Sequence, residues 1–113
     1  MVIRKAKGKD LLYTSFTSHT IRASVNELKK VLGKPHYDER DENEKSQVEW
    51  DFVIEGEGSV FSIYDWKEYR IYSDDEVIEW HIGGVVSSCG NNKNHTDIAL
   101  VIKELKALGL AVM

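Results

Sequence analysis

Three runs between residues 47 and 84 alternate apolar and polar side chains with a period of two. That pattern, repeated in close succession, constrains the chain to consecutive antiparallel strands. In 48–54, Val48, Trp50, Phe52 and Ile54 alternate with Glu49, Asp51 and Val53. In 60–66, Phe61 and Ile63 share one face, and Val60, Ser62, Tyr64 and Trp66 share the other. In 76–82, Ile78, Trp80 and Ile82 alternate with Val77, Glu79 and His81. The expected core face is therefore Trp50, Phe52, Ile54, Phe61, Ile63, Ile78, Trp80 and Ile82. Gly56-Glu57-Gly58 and Ser73-Asp74-Asp75 supply turns, and Gly83-Gly84 ends the last strand. Lys67 to Tyr72 is expected to continue extended after a bulge near residues 65–67.

The flanks carry helix signals. Ser24-Val25-Asn26-Glu27 has the form of a capping box, in which the Ser24 hydroxyl meets the Glu27 amide and the Glu27 carboxylate reaches back. Val25, Leu28, Val31 and Leu32 follow at helical spacing, Gly33 suits a positive-φ cap, and Pro35 prevents continuation. These bounds predict a short helix over 25–32. A longer helix is expected over 96–108. Asn94 or Thr96 would cap it, Ile98, Val101, Ile102, Leu105 and Leu108 form its apolar stripe, and Gly109 ends it while Leu110 packs back. Residues 11–21 favour a further strand. Residues 1–9 carry Arg4, Lys5, Lys7 and Lys9 and read as a solvated end or a lysine-protected edge strand.

At 113 residues, with 42% hydrophobic and 30% charged residues, the chain suits a single domain, 1–113, with one core. The predicted class is α+β: an antiparallel sheet, made of the three-strand meander plus the N-terminal strand, with a short and a long helix packed on one face. The net charge of −4 argues against a general nucleic-acid binder. The single cysteine, Cys89, allows no internal disulfide and fits a reducing cytoplasm. No run approaches the roughly 20 apolar residues of a membrane span. A cytoplasmic protein without membrane contact is expected.

Function is carried less openly. Asp65-Trp66-Lys67-Glu68-Tyr69-Arg70 interleaves two aromatics with two cations. Stacking beside a guanidinium suits a nucleobase and its phosphate. The plainer reading is a twisted strand with local ion pairs, Asp65 to Lys67 or Glu68 to Arg70. Residues 85–93, rich in Ser, Gly and Asn ahead of a helix start, offer amides to an anion, with Asn92, Lys93 and Asn94 adding donors. They match no known phosphate loop and read first as a connector. Glu79 and His81 share a strand face with Asp51 in reach, the outline of an acid–base pair, but no nucleophile has recognisable context. His19, His36, His81 and His95 lack ligand spacing, so no metal or cofactor is expected. The acidic stretch 36–46 reads as a solvated loop without calcium-loop spacing.

The run Phe61-Ser62-Ile63-Tyr64-Asp65-Trp66-Lys67-Glu68-Tyr69-Arg70, followed by Glu79-Trp80-His81-Ile82-Gly83-Gly84, resembles small uncharacterised proteins carried by tailed bacteriophages. Leu32-Gly33-Lys34-Pro35 is similar to their helix end. The resemblance covers about residues 24–84 and brings no catalytic residues with it. It implies an accessory protein acting in a bacterial cytoplasm. A short helix ending Leu-Gly-x-Pro ahead of strands is also similar to small outer-membrane assembly lipoproteins, whose lipid-bearing Cys near the start this chain lacks.

The expected function is a non-enzymatic anti-defence or host-takeover protein that sequesters a nucleotide immune signal. Its ligand site would comprise Trp66, Lys67, Tyr69, Arg70, His81, Asn92 and Lys93, and such sites often form between protomers of a homo-oligomer. Two other classes stand beside it. One is an inhibitor of a host protein acting through the acidic loop or the exposed sheet face. The other is a small nucleotide hydrolase using Asp51, Glu79 and His81.

Overall fold

The computed structural model describes residues 3–5, 15–41, 43, 45–54, 59–84 and 98–113. Its elements run β1 (Ile3–Lys5), β2 (Ser15–Ala23), α1 (Val25–Leu32), β3 (Tyr37–Asp38), β4 (Val48–Ile54), β5 (Ser59–Asp65), β6 (Ile78–Gly84), α2 (Ile98–Ala107) and β7 (Ala111–Val112). The class is α+β. The strands form one antiparallel sheet in the order β1-β4-β5-β6-β2-β7, with β3 beside β1 on the outer edge of β4. The three central strands follow one another directly, Trp50 opposite Ile63 and Ile63 opposite Ile82.

The alternation expected of these strands places Trp50, Phe52, Ile54, Phe61, Ile63, Ile78, Trp80 and Ile82 in one buried cluster. Val25, Leu28 and Leu32 of α1 and Val101 and Leu105 of α2 join the same cluster. Trp50 and Trp80 meet edge to face at 5.5 Å in its middle. Each buried indole needs an acceptor, and the two acceptors flank α1. Trp80 Nε1 donates to the Ala23 carbonyl at 2.9 Å, and Trp50 Nε1 donates to the Gly33 carbonyl at 2.8 Å. The sheet thereby grips both ends of the helix. The capping box is present, and Gly33 closes α1 at φ 83°, a value that glycine adopts without strain. At the end of α2, Gly109 has φ 89°, and the Leu110 amide returns to the Leu105 carbonyl.

Several expectations are corrected. The last meander strand spans Ile78–Gly84, because both Gly83 and Gly84 pair on their two sides with β5 and β2. Glu76 belongs to the preceding turn, its amide bonded to the Ser73 carbonyl. Residues 66–73 are irregular and do not extend β5. Lys67 and Tyr69 take positive φ of 52° and 51°, and the Lys67 amide crosses to the Lys45 carbonyl. The described residues of the acidic stretch 36–46 are anchored as well as solvated. Tyr37–Asp38 pairs with β4, and Arg40 bonds Asp38, Asp74 and the Tyr72 carbonyl while lying 4.9 Å over the Tyr72 ring. The second helix is described over Ile98–Ala107, and Leu108, placed in its stripe, lies beyond its last turn and is exposed. The two-residue strand β7 carried no sequence signal. The Gly56–Gly58 turn, the 85–93 loop and the Asn94 or Thr96 cap lie outside the described residues. Among the described residues, no helix is long and apolar enough to cross a membrane.

Candidate functional site

The face of the sheet turned away from the helices holds the candidate site. Register alone defines its geometry, because residues directly opposite on neighbouring strands share a face. One row crosses five strands: Tyr37, Glu49, Tyr64, His81 and Thr20. A second row runs Asp51, Ser62, Gly83 and Phe16.

Gly83 shapes what these rows can do. It has no side chain to hold Phe16 upright, and Phe16 leans onto His81 of the first row. The two rings stack at 4.1 Å with planes 21° apart. Trp66, just past the end of β5, faces His81 at 6.1 Å and 27°. Tyr64 meets both of them edge-on, His81 at 5.6 Å and Trp66 at 6.0 Å. Four rings on three elements thus form a single cluster, yet Phe16 and Trp66 keep 46% and 41% of their surface open. Aromatic surface held in place but still open to solvent is what a planar ligand needs. A bulge creates the arrangement: the β2–β6 register shifts between Phe16 and Thr20, where Ser18 has φ 70°.

Two carboxyl groups lie in these rows beside the rings. Glu49 and Asp51 project together from β4, two residues apart. Burial, then a hydrogen bond shared with Asp51 and the charges of Asp51 and Asp65, push the Glu49 carboxyl up to about 8. Glu49 therefore holds its proton at neutral pH. Burial raises the Tyr64 phenol, with Glu49 adding to it. Burial lowers His81, against the upward pull of Glu79, so its imidazole stays neutral. Three neighbouring groups of one row are thus all shifted toward their uncharged forms, a pattern that clusters at functional sites. The exposed sheet face expected from the alternation is closed in part: Asp51, Val53 and Ser62 are buried.

Of the expected ligand residues, the structure brings Trp66, Lys67 and His81 together, with the Lys67 ammonium 5.5 Å over the Trp66 ring. Tyr69 is exposed outside the stack. Arg70 turns into its own loop, where its guanidinium forks onto the Glu76 carboxylate and its Nε lies 3.8 Å from Glu68. Asn92 and Lys93 lie outside the described residues. The hydrolase set does not converge: Asp51 turns to Glu49, and it stands in a different row from His81, two strands away. Asp65 pairs with neither Lys67 nor solvent. It is fully buried and accepts from the Gln47 and Val48 amides and the Tyr72 hydroxyl. Among the described residues, no three His, Cys, Asp or Glu side chains gather as a metal site.

Phe16, Tyr64 and Glu49 are the site members that sequence reasoning missed. Tyr64 and Glu49 were placed on this face but given no role. Phe16 reaches the site through a bulge and an opposing glycine, and neither could be paired with it before the register was known. Comparisons with protein-family models, with curated proteins and with solved structures find no match to the chain.

Proposed function

We propose that this protein is a non-enzymatic binding domain that captures a small molecule by stacking its planar ring on the Phe16–His81–Trp66 face. The observation that carries the reading is the stack itself: three rings ordered by contact with one another, two of them still widely exposed. Base–aromatic stacking contributes about 1–3 kcal/mol per base and tolerates varied rings. The resemblance to phage accessory proteins makes a nucleotide signal of bacterial immunity the ligand class to try first, with sequestration as the outcome. Inhibition of a host protein through the acidic loop has less support, since Asp38 is already paired with Arg40.

Native mass spectrometry tests the proposal. The protein is mixed with a panel of cyclic nucleotides and ADP-ribose derivatives, and bound mass and assembly state are read in one spectrum. Retention of an unmodified ligand is expected, lost in Trp66→Ala and His81→Ala and kept in Ile71→Ala, an exposed control away from the stack. Equal retention in all three variants would overturn the assignment of the site. A chemically altered ligand would overturn the non-enzymatic reading.

A further inference from the structure

We infer that the ligand stacked on this face carries a phosphate and that Arg22 receives it, with Lys67 supplying a second positive charge. The inference rests on the stacking reading above and narrows its ligand to a small nucleotide.

Three observations carry it. First, register sets Arg22 beside the stack. Arg22 stands opposite Glu79, and Thr20 stands opposite His81. Arg22 and His81 are therefore diagonal neighbours on one face, about 7–8 Å apart, a separation that long side chains bridge. Second, the cations of the molecule differ in what already holds them. Arg40 is taken by Asp38 and Asp74, and Arg70 by Glu76 and Glu68. Arg22 and Lys67 are both exposed. Neither has a carboxylate within ion-pair distance among the described residues. The Lys67 ammonium instead lies 5.5 Å over the Trp66 ring, so a positive charge already stands at the rim of the stack. Third, the acids beside the rings oppose a phosphate only weakly. Glu49 holds its proton at neutral pH and hydrogen-bonds Asp51, so the two carry one negative charge between them. Asp51 is also buried. Glu79 is exposed, and an exposed acid holds a facing arginine weakly. Phosphate oxygens, by contrast, accept both arms of the guanidinium. Aromatic faces for the base and cations for the backbone are the combination by which proteins bind single nucleotides in a strand.

The test titrates the wild-type protein with the four common ribonucleosides and their 5′-monophosphates in low-salt buffer at neutral pH, following tryptophan fluorescence. At least one monophosphate should bind about tenfold more tightly than its nucleoside, as hydrogen bonds to a charged group allow. Arg22→Ala should cut that advantage by at least about threefold and leave the nucleoside unchanged, a split that loss of structure would not produce. Adding Lys67→Met to Arg22→Ala should abolish the advantage. Arg70→Ala should leave both ligands unchanged. Far-UV circular dichroism on each variant establishes that the fold is kept. An advantage below about threefold in the wild type would overturn the inference while leaving the stacking site standing. An advantage undiminished in Arg22→Ala would do the same, and one kept by the double variant would remove Lys67 from the site. A single-stranded oligonucleotide of the same base, bound more tightly per nucleotide than the monophosphate, would overturn the small-nucleotide assignment. Failure of every ring to bind, phosphorylated or not, would overturn the stacking reading together with the inference.

Discussion

Two carboxyl groups on adjacent strands, Asp65 of β5 and Glu49 of β4, show how an acid withdrawn from water can serve two ends. Asp65 has no surface exposure, and its stability comes from donors: the Gln47 amide at 2.7 Å, the Val48 amide at 3.0 Å and the Tyr72 hydroxyl at 2.8 Å. Asp65→Ala leaves all three without a partner and is expected to cost about 3–5 kcal/mol in urea unfolding. Tyr72→Phe removes only the hydroxyl and should cost about 1–2 kcal/mol. Glu49 behaves in the opposite way. Its neighbours Asp51, Tyr64 and Asp65 give it no positive partner, and its carboxyl is raised from 4.5 to about 8. The folded protein keeps a proton that the unfolded chain releases between those two values, so folding stability falls as pH rises through that window. Thermal melts of Glu49→Gln and wild type should therefore diverge. The variant should gain relative to wild type between about pH 5 and about pH 8, with the difference level above. A constant difference across that range would show that Glu49 is charged in the folded state.

At the scale of elements, α1 is held by local and tertiary contacts in equal measure. Its capping box bonds Ser24 and Glu27 reciprocally, while the Asn26 amide and side chain are tied to Asp74 and Asp75. Ser24→Ala should cost about 1 kcal/mol, read as a shift in the urea midpoint without a change in slope. Edge pairing on β4 is completed in a less regular way. β1 covers residues 52–54 and β3 covers 48–49, and His36 fills the gap between them. The His36 amide donates to the Glu49 carbonyl, and its Nδ1 accepts from the Asp51 amide. A side chain thus does the work of a strand residue, and it also steadies the backbone that presents Glu49 and Asp51 to the open face.

For the whole molecule, the two helices and the sheet share one apolar cluster, so they should unfold together. Leu105, fully buried, belongs to the longer helix. Leu105→Ala should cost about 2–5 kcal/mol. Tryptophan fluorescence, which reports on Trp50 and Trp80 in the sheet, should report the same transition as far-UV circular dichroism. Two separate transitions would show that α2 is an independent unit. The C-terminal residues complete the sheet: Val112 pairs with Ile21, and Thr20 and Met113 exchange both backbone hydrogen bonds. They flank the β2 bulge that delivers Phe16 to His81, which ties the chain's end to the geometry of the stack.

Period-two alternation is a local property, and it was enough to identify the β4–β6 core face, because a strand's pleat decides side-chain direction without reference to anything distant. The same holds for the α1 caps, whose partners lie within three residues. Glycine was misread at 83–84 because its low strand propensity is overridden when both neighbours pair. The irregular 66–73 segment was misread because its course is set by anchors elsewhere: Lys45 for the Lys67 amide, Gln47 for the Arg70 carbonyl and Glu76 for the Arg70 guanidinium. The site follows the same division. Trp66 and His81 were recognisable by type and spacing. Their stack with Phe16, the protonated Glu49 beside Asp51 and the withdrawal of Arg70 depend on register and burial, which arise only when distant strands are laid side by side.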